Sequence, residues 1–373
     1  MNKRVGRMML LTVVMLLYVT SIGFAQEMRT ITDMEGRRVE VPVEVKRVYA
    51  VMHCLPMVSA VAPEKVINFP MPSEQAKKYL APVYYANSVV QKKPPMIGAS
   101  STGGMPPNGP PPNMRVAMEN AIQKLQPDLI ILEASPEMVG KADELQKKVN
   151  IPVFLVSTDM LKYKQGFTLL GELLDRPKEA SQLVGFVTKY LDPIQEKAKR
   201  ISDKDKVRVY YAEGKDGLAT EPVGSSHGQI IDFIGAMNVA KKEELSSGRG
   251  PTMATLAQVI SWKPQVILVA TPGADHLVTY KAIVDNADWH EVAAVKDGRV
   301  YQIPWMPFSW FDRPPGANRM IGAIWTANLL YPDIYKYDMV SVVQEYFKVF
   351  YRSDISVADA QMLLATKPNE IIN

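Results

Sequence analysis

Two well-separated stretches of this chain repeat one pattern. AIQKLQPDLIIL (121–132) and QVISWKPQVILV (258–269) each run a helical segment through Pro-x into a short apolar strand. An echo of this kind signals two units built on one plan. Around each copy, strand candidates alternate with helix candidates, which requires parallel sheets covered by helices. The expected fold class is therefore α/β, with two similar parallel-sheet lobes.

Between the copies lies GFTLLGELLDRPKEASQLVGFVTKYLDPIQEKAKRI (166–201). Asp175 as N-cap, Pro177 near the first helical position and Glu179 in the first turn mark a helix start. Leu183, Val184, Val187, Tyr190, Leu191, Ile194, Ala198 and Ile201 then fall on one face. Some 25 residues at about 1.5 Å each span roughly 37 Å, the width of a small domain. Pro193 removes a backbone donor and is expected to kink the rod. The reading is a strut joining two lobes; the alternative is a surface helix of one α/β domain. The expected organisation is a signal peptide at 1–25, a first lobe at 26–165, a linking helix at 166–201 and a second lobe with C-terminal helices at 202–373.

The leader reading rests on Lys3, Arg4 and Arg7, the apolar run Met8–Val19, and Gly23-Phe24-Ala25 as a small-x-small cleavage pattern. Cleavage near Ala25 leaves Gln26 first. An uncleaved anchor is the alternative, but the run is short for a bilayer span. Without the leader, 43 basic against 39 acidic residues become 40 against 39. Near-neutrality points to no nucleic acid or anionic membrane as partner. Cys54 is the single cysteine, so no intramolecular disulfide can form. The expectation is an exported, soluble, periplasmic protein.

In chain order, TITDMEGRRVEVPVEV (30–45) reads as a β-hairpin turning at Met34-Glu35-Gly36. RVYAVM (47–52) is a buried strand ending at His53. Ligands of open α/β sheets sit beyond the carboxyl ends of strands, so His53 stands where a ligand-facing residue would; local backbone satisfaction is the alternative. PPMIGASSTGGMPPNGPPPN (94–113) cannot be regular structure and is either a loop at the cleft mouth or a surface insertion. Further strands are expected at 127–132, 152–156, 207–212, 263–269 and 300–304. Helices are expected at 114–126, 137–149, from 229, at 252–262, from 320, and at 340–351 and 357–364.

TITDMEGRRVEVP, AIQKLQPDLIIL, the strut and, above all, WFDRPPGANRMIGAIWTANLLYPDIY resemble periplasmic substrate-binding proteins of ABC importers. The branch is the one serving ferric siderophores, haem, cobalamin and related metal complexes or oxyanions. The resemblance covers essentially the mature chain. It implies two α/β lobes joined by one long helix, a ligand cleft between the lobes with little closing motion, a membrane permease and its ATPase as partners, and no catalysis. By position, the family's cleft residues fall most directly on Trp310 and Arg313. In this family a glutamate seven residues before the Pro of each echo commonly docks on permease arginines. Here Asn120 and Ala257 stand there, with Glu119, Glu243 and Glu244 as substitutes.

A binding protein needs a few orienting groups and apolar wall. Trp305 and Trp310, with Phe311, follow a strand and could cover an organic chelate. Arg313 offers a fixed planar charge for a carboxylate, phosphate or oxyanion, stiffened by Pro314 and Pro315. The alternative places the Trp residues in the core and pairs Arg313 with Asp312. Arg319 is assigned to the helix start. Ser225, Ser226 and His227 precede a helix and could receive an anion. His227 facing His53 across the cleft could instead coordinate a metal left open by its chelator. The 21 methionines are read as packing. Gly224-Ser225-Ser226-His227-Gly228 also fits a nucleophile elbow, with Ser226, Asp275 or Asp288, and His290 as a hydrolase triad; Glu221-Pro222 interrupts the strand that an elbow needs. The expectation is a monomer binding a metal-containing solute, an iron chelate first, cobalamin or haem next, and molybdate or tungstate as the runner-up of a different chemical kind, with no resident cofactor.

Overall fold

The computed structural model describes residues 27–86, 112–245, 252–270, 277–312 and 316–367. The expected leader, most of the Gly/Pro-rich stretch, Asp275 and Arg313 lie outside the described residues. β1 (Met28–Thr32) and β2 (Arg38–Pro42) pair antiparallel, as the alternation predicts. Gly36 takes φ +81° in the turn, a conformation that costs glycine little. Asp33 closes the turn by accepting from the amides of Glu35 at 3.0 Å and Arg37 at 2.9 Å. Its other oxygen accepts from Arg37 Nη1 at 3.0 Å and the Leu155 amide at 3.3 Å, which pins the hairpin to the first sheet.

That sheet is β3 (Val48–Ala50), β4 (Leu129–Glu133) and β5 (Val153–Val156), parallel and in that order. The second lobe holds β6 (Arg208–Ala212), β7 (Ala219–Thr220), β8 (Met237–Asn238), β9 (Thr252–Met253), β10 (Val266–Val269) and β11 (Val300–Gln302). Its main sheet runs β11-β10-β6-β8, all parallel, and β7 pairs with β9 antiparallel. Helices cover both faces of each main sheet, so the strands are nearly all apolar. The two-residue strands β7, β8 and β9 were not expected, being too short for an alternating pattern.

The echo is structural. β4 and β10 are interior strands of their sheets. The helices before them, Pro112–Leu125 and Leu256–Trp262, both end on a left-handed residue: Gln126 and Lys263, each at φ 47°. A proline follows in both copies, so neither helix can continue and the chain turns directly into the strand.

The strut is one helical rod in three parts: α-helix Pro177–Phe186, a π-helical turn Val187–Leu191, and α-helix Asp192–Ala198. Pro193 cannot donate, and its ring crowds the carbonyl four residues back. The widened turn that accommodates this lies just ahead of it. Two boundary expectations are corrected. The N-cap position is Arg176, not Asp175, which sits at φ 54° in the preceding turn. Residues 163–173 form a separate helix, so the linking rod begins at Pro177 rather than Gly166. The two helices touch so closely at Gly171 that a Cβ there would overlap the Ala180 side chain.

The tail also departs from expectation. Helix Met339–Tyr351, assigned from sequence to the second lobe, lies against the first lobe and the rod. Tyr84 donates its hydroxyl to Phe350 O, and the Ala81 amide donates to Tyr351 O at 3.1 Å. Arg352 Nη2 reaches Val61 O at 3.1 Å, and Lys189 and Tyr190 of the rod both meet Glu345 Oε2 at 2.6 Å. Amphipathic periodicity states that a helix has a face to bury but not which lobe receives it.

Candidate functional site

The carboxyl ends of the strands converge between the lobes. In the first lobe, His53 follows β3, Glu133 ends β4, and Thr158 lies just after β5. In the second lobe, His227 stands in the turn before helix Gln229–Phe233, and Asp312 lies in the segment after β11. His53 Nδ1 is 2.5 Å from Glu133 Oε2. His227 Nδ1 is 2.6 Å from Asp312 Oδ1 and 2.7 Å from Oδ2. The two imidazoles face one another with ring centroids 6.2 Å apart and planes at 87°. The structure thus brings together the two histidines singled out in sequence.

A carboxylate can only accept, so each Nδ1 carries the proton and Nε2 is the nitrogen each ring offers to a ligand. Carboxylates behind histidines fix tautomer and ring orientation in metal sites. Sequence reasoning missed both of these. Glu133 closes an apolar run, LIILE, and a lone acid at a strand's carboxyl end was the available signal. Asp312 was read only as a partner for Arg313.

The two carboxylates differ in setting. Asp312 is fully buried. Glu133 is about a third exposed by side chain. Burial alone would raise the Glu133 pKa. The His53 hydrogen bond and charge, the Thr158 hydroxyl and the Arg319 charge outweigh it and hold the carboxyl below its ordinary value. A depressed carboxyl contributes stability that is complete above the unfolded-state pKa, about 4.3. That contribution disappears as pH falls through the folded value. Chemical denaturation between pH 5 and pH 3, both in the range where carboxyls titrate, is expected to show stability falling with acid, with a shallower fall in Glu133→Gln. Equal slopes would show that Glu133 does not contribute.

The remaining sequence candidates fall as follows. Ser226 is exposed, and its carbonyl accepts from Arg319 Nη1 at 2.8 Å. Ser225 Oγ donates to Glu221 Oε2 at 2.7 Å and accepts from the His227 amide at 3.2 Å. That hydroxyl is therefore committed within the protein, and the helix that follows is only five residues long. The anion-binding expectation for this turn gains no support. Trp310 is corrected from cleft wall to core: it is 1% exposed, and its indole N–H donates to Met306 O at 3.0 Å. Phe311 is likewise buried, its ring tilted against Tyr211 with centroids 4.7 Å apart. The aromatic surface left at the lobe boundary is Trp305 with Phe308. They line a groove of about 200 Å³ against Phe69, Met71 and Leu80 of the first lobe. Cys54, beside His53, is buried with its thiol toward Val156 O; burial first, then the Glu133 charge, pushes that thiol well up.

The elbow reading fails on geometry as well as on pattern. β7 ends at Thr220, before Glu221-Pro222, and His290 Nε2 meets Val284 O, at the end of the preceding helix, at 3.2 Å. At the docking positions, Asn120 and Ala257 are exposed, but Glu119 is turned inward and paired with Lys148 Nζ at 2.6 Å. Glu119 is thus corrected from surface contact to an inward-turned carboxylate held by the exposed Lys148, because one residue along a helix rotates the side chain by about 100°. Glu244 is bonded to the Trp262 indole and to Lys241, while Glu243 is exposed.

A family model described as "Periplasmic binding protein" matches residues 91–305, more than half of the chain. A substrate-binding lipoprotein of an ABC transporter from Bacillus subtilis, YvrC, is 28% identical over 237 residues. That match covers 60% of this chain and 68% of YvrC. An ABC transporter solute binding protein from Sulfurospirillum deleyianum superposes with a TM-score of 0.71 at 27% identity, covering 90% of this chain and 98% of that one. The Haemophilus influenzae protein MolA, bound to molybdate, superposes with a TM-score of 0.61 at 23% identity, over 88% and 99% of the two chains. At that identity the likeness is one of fold.

Proposed function

The chain belongs to the periplasmic binding protein family, as a solute-binding component of an ABC transporter and not an enzyme; from that premise, we propose that its solute is a small metal chelate, an iron chelate first, whose metal is reached by His53 and His227. The facing of these two imidazoles, one from each lobe and each backed by a carboxylate, carries the reading. A metal–nitrogen distance of about 2.1 Å plus a ring radius of roughly 1.1 Å puts two rings that share an ion no more than about 6.4 Å apart. The observed 6.2 Å lies inside that limit.

Among the described residues, no group of three or more His, Cys, Asp or Glu side chains is placed to hold a metal ion. Two imidazoles complete a coordination sphere that a chelator has mostly filled; they do not enclose a bare ion. Trp305 and Phe308, both half-buried, give an organic shell apolar surface at the lobe boundary. An oxyanion reading is weaker, because Glu221 and Asp312 are buried acids around the His227 turn and the Ser225 hydroxyl is already committed. Export follows from the leader, with cleavage after Ala25. No helix among the described residues is long and apolar enough to cross a membrane. The permease and ATPase of the transporter are the partners, with Glu243 as the exposed acid on the second lobe for the permease.

Thermal unfolding across ferric catecholate and hydroxamate chelates, cobalamin, haem, nickel(II) and molybdate tests the reading. A ligand of the native state at 100 times its Kd stabilises by about 2.7 kcal/mol. Ferric chelates are expected to raise Tm by roughly 4 °C. A shift with molybdate alone would overturn the proposal.

A further inference from the structure

Arg319 begins the helix Asn318–Leu330 and is 1% exposed. Its guanidinium donates in several directions at once. Nη1 reaches Ser226 O at 2.8 Å and Gln229 Oε1 at 3.2 Å, Nε reaches the Tyr163 hydroxyl at 3.2 Å, and Nη2 reaches Thr158 O. Ser226 immediately precedes His227. Thr158, on the other lobe, donates its hydroxyl to Glu133 Oε1, and the second oxygen of that carboxylate holds His53. One buried group therefore touches the support of each imidazole.

We propose that Arg319 is a positioning residue for the solute site: by joining the Ser226–His227 turn to the Thr158–Glu133–His53 chain, it sets the separation of the two imidazoles. This rests on the metal-chelate reading above. A guanidinium is a rigid planar fork with five N–H donors, so its carbonyl partners are held at set angles. Away from water, such a network gains strength from each satisfied member. Neighbouring contacts tie the same seam. Gln229 Nε2 donates to Asp159 Oδ1 at 2.7 Å, and the Tyr163 hydroxyl donates to Gly316 O at 2.8 Å. Gly316 backs directly onto the His53 loop, where an added Cβ would stand 3.1 Å from His53 O. Coordination tolerates errors of only about 0.2 Å, so a small slip between the lobes would stop both rings from sharing an ion. A lysine keeps the charge but is a point donor on a flexible stem and cannot hold carbonyls on both lobes together.

The test reads the rings themselves. The chain has four histidines, so isotope-labelled histidine gives a simple spectrum. In the metal-free protein, a ring-to-ring NOE between His53 and His227 is expected, and it should fall at least about threefold in folded Arg319→Lys. In parallel, affinity for the ferric chelate that most stabilises the native protein is expected to fall about 10-fold in Arg319→Lys, the scale of a lost supporting contact. His227→Ala should then cost less than about threefold more, against about 10-fold or more in the native background. An unchanged NOE in folded Arg319→Lys, or an undiminished effect of His227→Ala there, would overturn the proposal. If Arg319→Lys does not fold, Thr158→Val decides by the same NOE, since it cuts the chain one bond further along and leaves the guanidinium bonded. A native protein that shows the NOE but takes up no nickel(II) or ferric chelate would defeat the metal reading while leaving the role of Arg319 intact.

Discussion

On the proposed metal-chelate reading, His53→Ala and His227→Ala are each expected to weaken binding of the ferric chelate that most stabilises the native protein, by about 10–100-fold. Each substitution removes one of the two imidazoles that meet between the lobes at 6.2 Å, leaving the chelator's own donors and the apolar wall. Their effects on the unliganded protein should differ. Glu133 is partly exposed and keeps the Thr158 hydroxyl, so His53→Ala should change Tm little. Asp312 is fully buried and loses its imidazole partner in His227→Ala. Taking a donor from a buried acceptor costs about 1–3 kcal/mol. Calorimetric titration with the chelate, alongside thermal unfolding without it, separates the two contributions. Native affinity in both alanine variants would remove the histidines from the site.

The second large effect is expected at a position with no ligand role. Gly322, in the helix Asn318–Leu330, lies against the main chain of Trp310: an added Cβ would overlap the carbonyl oxygen and stand 2.6 Å from its carbon. Neither side can give way easily. The helix is buried along most of its length, and Trp310 is held by its amide to Pro304 O at 2.9 Å and by its indole to Met306 O at 3.0 Å. Ordinary overpacking costs about 1–3 kcal/mol. Backbone against backbone should exceed that, at roughly 4 kcal/mol. Gly322→Ala is expected to lower Tm by about 5 °C. Because Asp312 lies two residues beyond Trp310, the same change should disturb the His227 pair and reduce chelate affinity. A Tm within about 2 °C of native would show that the helix slides without penalty.

Legibility from sequence varied with the range of the interaction concerned. The hairpin, the central strands and the Pro-terminated helices were readable because each depends on neighbours a few residues away. His53 and His227 could be marked as candidates, one beyond a strand end and one in a Ser/Gly-rich helix start, yet nothing local required them to meet. Trp310 illustrates the opposite failure. An aromatic after a strand fits a cleft wall and a core equally well, and only the approach of Gly322 and the Met306 carbonyl placed it inside.

The chain's own pattern determined that there are two parallel α/β units of one plan with a proline-marked rod between them. Hydrophobic period, turn residues and proline act over a few residues and need no knowledge of the rest. Tertiary structure alone decided that Glu133 and Asp312 stand behind the two histidines, that Arg319 bonds to both lobes, and that the tail helix returns to the first lobe. Those relations join residues 80 or more positions apart. They follow from how two preformed lobes dock, which local periodicity does not encode.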